Sequence, residues 1–303
     1  MTLRDDFAGG APDRVVPVRS DGLGARFGAH ELAITKRRTM AYAAGIGAAD
    51  DCYLDDARGQ GVVAPLGIVA ALEWPVFETE DYLAAIGRTP ATAFNGLVHG
   101  SQLSHFARPI HPGDRLEIAA RIVEMRETRA GALVTSRIDT TDAASGAPVA
   151  TGWFGALYRG TPLDGAPGTA EEVPALRAEA GIGHAAHVFD ISTAKAQAHL
   201  YTECAGIWNP IHTERAYALA SGLPDIILHG TCTWAMALER IAAALAPDSA
   251  LPFRAFGARF SAPVIPGDTV RVETSDPQQG RIAFVVRDAG GGLALSHGFA
   301  ELA

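Results

Sequence analysis

Two short segments hold residue types that can act together on a carbonyl compound. Trp208-Asn209-Pro210-Ile211-His212 sets an imidazole at a turn that Pro210 stiffens. Ile226-Ile227-Leu228-His229-Gly230-Thr231 sets a His-Gly pair at the mouth of a long apolar run. An imidazole, with an unperturbed pKa of about 6.5, can take a proton from water or return one. Free N–H groups at a helix start favour a developing oxyanion. A base near a reacting carbon and an oxyanion holder near a carbonyl are the parts of an acyl-thioester site. A histidine beside a proline is, taken alone, more often a structural hydrogen-bonder. The Asn-Pro frame and the downstream helix start favour chemistry at His212. Gly230 in isolation would be a turn glycine, and His229 reads as a structural residue that holds the loop.

The elements around these segments can be placed from pattern and punctuation. Thr231 can cap a helix reaching Leu245, ahead of Pro247. Ala235, Met236, Leu238, Ile241 and Ala242 make it apolar nearly all round, so it should be buried. Thr213 can cap a short helix ending at Gly222, and Ser192 one that runs to about Gly206. Pro266-Gly267-Asp268 is a turn signal, and residues 270–274, 282–287 and 293–302 follow it as short antiparallel strands.

The first half repeats this punctuation. His99-Gly100 precedes Pro112-Gly113-Asp114, then strands over 116–123, 133–140 and 149–157. Its helix, near 66–74, should be shorter. Residues 161–174 are rich in Pro, Gly, Ala and acid and read as a linker. The expected fold is α+β: an N-terminal repeat over 1–165, a linker over 166–175 and a C-terminal repeat over 176–303. Each repeat is an antiparallel sheet wrapped around a central helix.

Composition narrows the partners. The 303 residues are 48% hydrophobic and 19% charged, which suits a globular protein with ample core. A net charge of −9 argues against general nucleic-acid binding. Lys36-Arg37-Arg38 is the nearest thing to a basic patch and reads as a solvated run. Cys52, Cys204 and Cys232 give no disulfide framework or zinc spacing and fit a reducing cytoplasm. Cys204 and Cys232 read as small core residues. Met1 to Asp6 lacks the pattern of a signal peptide, and the helix around Leu238 is too short to span a bilayer. Asp50-Asp51 and Asp55-Asp56 read as a solvated acidic loop, not a metal site. No phosphate-binding glycine loop follows a strand.

The second half resembles the hot-dog fold of the MaoC-like dehydratases and (R)-specific enoyl-CoA hydratases (type 2 hydratases). The likeness lies in Asn209-Pro210 with His212, in Ile227 with His229-Gly230, and in Arg259-Phe260-Ser261-Ala262-Pro263-Val264-Ile265-Pro266-Gly267-Asp268. The first half is similar to the N-terminal repeat of two-repeat members through Tyr42-Ala43-Ala44-Gly45-Ile46-Gly47-Ala48 and Leu97-Val98-His99-Gly100. The resemblance covers the chain from about residue 40. It implies that His212 is the catalytic histidine, that Asn209 shapes its loop and that the Gly230 N–H binds the thioester carbonyl oxygen. It further implies that Ile207, Trp208, His229 and Thr231 line the substrate site, and that the first repeat walls an acyl tunnel.

The resemblance implies an enoyl-thioester hydratase, or in reverse a 3-hydroxyacyl-thioester dehydratase, with no cofactor, no metal and no membrane or nucleic-acid partner. Coenzyme A or acyl carrier protein would carry the acyl group, and a homodimer is compatible with it. One position departs from the pattern: Ile207 stands where the family has its catalytic aspartate. Three readings follow. Glu203, one helical turn earlier, takes the role. Alternatively His212 works alone, or the chain hydrolyses or merely binds acyl thioesters.

Overall fold

A computed structural model of the chain describes residues 15–176, 182–247 and 249–303; Met1 to Asp6 lie outside them. In the first half, β1 (Arg26–Ala33) leads to α1 (Lys36–Gly45), a six-residue helix α2 (Ile68–Glu73) and β2 (Leu97–Phe106). Strands β3 (Arg115–Thr128), β4 (Gly131–Asp142) and β5 (Pro148–Arg159) follow. The second half repeats the series as β6 (His187–Ser192), α3 (Gln197–Ala205), α4 (Arg215–Ala220), α5 (Gly230–Leu245) and β7 (Phe253–Phe260). It closes with β8 (Thr269–Thr274), β9 (Arg281–Arg287) and β10 (Leu293–Leu302).

All ten strands join one sheet in the order β1-β3-β4-β5-β2-β7-β10-β9-β8-β6. Read inward from either edge, each half runs first, third, fourth, fifth, second. The halves are therefore topological copies, joined where β2 pairs antiparallel with β7, for example Gly257 opposite Leu103. The two Pro-Gly-Asp turns have the same geometry: Gly113 has φ +100° and Gly267 φ +102°, a region costly for any residue with a Cβ. Each turn hands the chain into the third strand of its half. Part of the expected linker, Gly168–Thr169, instead lies along β3 opposite Met125 and Glu124.

Helix α5 is buried over most of its sixteen residues, as its apolar pattern demands. Helix α2 is shorter and continues as a 3-10 turn over Trp74–Glu78. Helices α1 and α3 cross closely between the halves. A Cβ on Gly45 would lie 2.6 Å from the Cβ of Cys204, and Gln197 Nε2 donates to the Gly45 carbonyl at 2.7 Å. Cys204 is thus a small residue at a tight crossing. On the surface, Lys36 pairs with Asp56. Among the described residues no helix is long and apolar enough to cross a membrane.

The expected caps need correction. Ser192 ends β6, where its hydroxyl meets that of Thr269, and α3 starts at Gln197 after Ala196. Helix α4 follows Glu214, not Thr213. Helix α5 follows His229, so Thr231 is its second residue. The left-handed stops are as expected, with Gly206 at φ +71° and Gly222 at φ +76°. The pairing of His99-Gly100 with His229-Gly230 also fails. His99 and Gly100 lie inside β2, the counterpart of β7, whereas His229 precedes a helix.

Candidate active site

The site forms where the loop after α3 meets the start of α5. Gly206 ends α3 in a left-handed turn, and the chain leaves the helix direction before Ile207. Asn209 then opens a 3-10 turn over Pro210–His212: its Oδ1 accepts from Ile211 N at 3.2 Å. Its Nδ2 donates across to the carbonyl of Leu97 at 3.4 Å. Asn209 therefore shapes the loop and ties it to β2 of the other half. Trp208 packs edge-on to Phe94 at 5.2 Å, a second tie between the halves.

His212 is 8% exposed, and its Nδ1 donates to the Ile227 carbonyl at 2.8 Å. A carbonyl can only accept, so Nδ1 carries the proton and Nε2 holds the lone pair. Burial lowers the ring to about 4 despite that hydrogen bond. His212 is thus a neutral imidazole whose free nitrogen is a base.

His229 stacks on it with centroids 3.7 Å apart. Its Nε2 donates to the Ile207 carbonyl at 3.2 Å and lies 3.2 Å from Thr202 Oγ1. Burial, then the neighbouring His212, hold its pKa well below the usual value. A second cation would repel an imidazolium at His212, so a neutral His229 is a suitable neighbour. That hydrogen bond ties the start of α5 to the Ile207 backbone.

Gly230 and Thr231 precede the first intrahelical bond of α5, made by Cys232 N to the His229 carbonyl at 3.0 Å. Their N–H groups are orphan donors at the positive end of a buried helix. No acidic residue stands in that first turn. The Phe260 ring closes over Gly230, where an added Cβ would sit 2.9 Å from Cδ1. Gly230→Ala should therefore displace the ring or the helix start. We expect a loss in kcat of about tenfold or more with native circular dichroism, since small misplacements at a reacting centre are costly. Full activity in the folded variant would separate this helix start from catalysis.

Ile207 is buried and contributes no acid or base. Glu203 does not replace the aspartate. Its neighbours Tyr201, Thr202 and Ala205 are buried while Glu203 is exposed on α3. The same-face argument assumed a helix running through residue 207, and the left-handed Gly206 ends it first. Sequence reasoning also missed Thr202 and the carbonyls of Leu97 and Ile227. Main-chain acceptors carry no side-chain signature, and Thr202 looks like any inward helix residue.

Comparison with known proteins bears on the family and the fold. The family model described as MaoC like domain matches residues 179–285. The model for a FAS1-like, dehydratase domain region matches 22–152. The 3-hydroxyacyl-thioester dehydratase Y of Mycobacterium tuberculosis is 30% identical over 265 residues, covering 84% of this chain and 87% of that protein. The chain belongs to the MaoC-like dehydratase family. Among solved structures, the MaoC-like dehydratase from Phytophthora capsici superposes with TM-score 0.80 at 22% identity, covering 92% of this chain and 95% of that one. A Mycobacterium tuberculosis protein described as having a double hotdog fold superposes at 0.58, with 18% identity and 92% and 96% coverage. The fold is thus the tandem hot-dog, with His212 and Gly230 both contributed by the second repeat.

Proposed function

We propose that this MaoC-like protein hydrates enoyl thioesters, or dehydrates 3-hydroxyacyl thioesters, with His212 as its single acid–base. The observation that carries the reading is the His212 Nδ1–Ile227 bond, which leaves Nε2 as a base near free N–H groups at Gly230 and Thr231. Water would give a proton to Nε2 as its oxygen bonds the β carbon. Electrons move to the thioester oxygen, held by the helix start. The imidazolium then returns the proton to the α carbon, and the dehydratase direction is the reverse. One group handling both proton steps delivers oxygen and hydrogen to the same face. No cofactor enters this scheme. Coenzyme A is the proposed carrier ahead of acyl carrier protein, the product is the (R) alcohol, and the enzyme works in the cytoplasm as a homodimer. Ile207, Trp208, His229 and Thr231 surround the thioester in this reading.

A second reading draws on the same Ile207. Thioester hydrolysis needs activated water but no proton delivery to carbon, so losing a carboxylate harms it less. Assaying crotonyl-CoA for loss of the enoyl absorbance and for release of free thiol separates the two, and neither signal would leave a binding protein. Ile207→Asp supplies the missing group. We expect it to raise crotonyl-CoA hydration about tenfold or more, at some cost in stability because a carboxylate enters an apolar site. A folded variant with no gain would favour hydrolysis over hydration.

A further inference from the structure

Arg88 is a buried cation without an anion. It is 4% exposed, and no carboxylate pairs with it among the described residues. A guanidinium stays protonated, and burying one without a counter-ion is costly. What Arg88 touches is main chain and one ring. Its Nη1 donates to the carbonyls of Thr92 at 3.0 Å and Asn95 at 3.3 Å. Its Cζ lies 4.8 Å from the centre of the Tyr158 ring, whose hydroxyl meets that of Tyr82 at 3.0 Å. Nε and Nη2 have no partner among the described residues. An apolar side chain of similar length would fill much of that space and leave no donor unpaired. The bonds to the two carbonyls are what the guanidinium adds.

Those carbonyls belong to the segment that leads into β2. Asn95 N donates to the Thr92 carbonyl at 3.2 Å, so Arg88 grips both ends of one turn. Gly96 then turns the chain at φ +72°, and β2 begins at Leu97. The segment meets the candidate site twice. Phe94 packs on Trp208, and the Leu97 carbonyl accepts from Asn209 Nδ2. The Oδ1 of the same Asn209 shapes the loop that carries His212. The segment also borders a cavity of about 480 Å³, lined by Phe94, Asn95 and Leu97 from the first half and by Ile211 and Leu223 from the second. Atoms that line a void lack contacts on that side, so packing alone restrains the segment incompletely. The Arg88 bonds supply the missing restraint.

We propose that Arg88 is a positioning residue for His212. By holding the turn over 92–95 it fixes Phe94 and Leu97, and these fix Trp208 and Asn209 at the base of the His212 loop. The inference rests on the reading of His212 as the acid–base. Arg88 acts on the aim of His212 Nε2, and a misplacement of about 1 Å at a reacting group can cost about 100-fold in rate.

The test is a double-variant cycle in the full-length protein, assayed on crotonyl-CoA with circular dichroism to confirm folding. Arg88→Met should lower kcat about tenfold or more and leave KM within about threefold, because an aiming error acts in the transition state. Asn209→Ala should do the same. The double variant should lose no more than about twofold beyond the worse single one, because both changes cut one route. Losses that multiply overturn the proposal. So does a normal kcat in Asn209→Ala, a result that needs no Arg88 variant to fold. Arg88→Lys, which keeps the charge on a shorter stem, replaces Arg88→Met if that variant unfolds. A readout that needs no turnover is the fluorine resonance of Trp208 in protein labelled with fluorotryptophan, assigned by its loss in Trp208→Phe. It should shift in the folded Arg88 variant, and an unmoved resonance overturns the proposal. A wild type that hydrates no enoyl-CoA sinks the acyl-thioester reading instead, and the resonance then still decides whether Arg88 holds the loop.

Discussion

His212→Ala should lower hydration of crotonyl-CoA by at least about 100-fold, the low end for losing a positioned acid–base. In the proposed scheme His212 both takes a proton from water and returns one to carbon, and no second carboxylate shares the work. Ile207 is apolar and Glu203 faces solvent. The pH profile gives a second check. The active form is the neutral ring, and burial lowers its pKa to about 4. Activity falls only where the ring becomes protonated, so the acid limb of kcat/KM should lie near pH 4, not near the 6.5 of a free imidazole. His99 and His229 are also held neutral by burial and would also be forced to charge in acid. Circular dichroism across the same range must therefore separate loss of catalysis from loss of fold. A limb near 6.5, or a folded alanine variant with nearly full rate, would remove His212 from the mechanism.

Local signals in the sequence located the fold and picked out part of the candidate site. The Pro-Gly-Asp turns were legible because only glycine takes φ near +100° cheaply, and both open the third strand of their half. Helix α5 was legible because an apolar run of that length must be buried. His212, Asn209 and Gly230 stood out through a family motif; Asn209 and His212 lie on the loop after α3 and Gly230 opens α5, with α4 between them. The failures have two causes: a side chain able to cap is used elsewhere by tertiary structure, or a helix ends before the residue it was meant to align. The hydroxyl of Thr193, beside Ser192, donates to the Asp268 carbonyl and accepts from Gly267 N, so that stretch anchors the Pro-Gly-Asp turn and α3 starts later. Glu203 faded because the helix stopped at Gly206. The polar interior of the first repeat, Glu73 with Gln102, Ser104, Ser136 and Thr140, was visible only as unremarkable polar residues in a helix and strands. Its burial needed the register that sets the strand residues inward, and Gly152, which leaves room for the Glu73 carboxyl.

Glu73→Gln should make the protein more stable than wild type, by an amount that grows with pH. Burial raises the Glu73 carboxyl to about 8 from its ordinary 4.5, and only the Gln102 hydrogen bond opposes that shift. Between those two values the folded state holds one more proton than the unfolded state. Stability contributed by this group is therefore complete below about 4.5 and is lost as pH rises toward 8. Each pH unit in that window is worth about 1.4 kcal/mol, so the wild type should lose roughly 3 kcal/mol from this source by pH 7. The amide cannot ionise, and its oxygen can still accept from Gln102 Nε2, so the variant escapes the loss without opening a cavity. Glu239, raised to about 7 by burial, contributes in the same direction, and the buried histidines contribute in the opposite one. Both cancel when variant and wild type are compared at each pH. Urea unfolding of the two proteins at pH 5, 6, 7 and 8 measures the gap. It should be small at pH 5 and approach about 3 kcal/mol by pH 7. A gap that stays constant across the series would mean that Glu73 does not titrate in this window. A gap that reverses sign would mean that the carboxylate is stabilised in the core by charge that Gln102 alone does not supply.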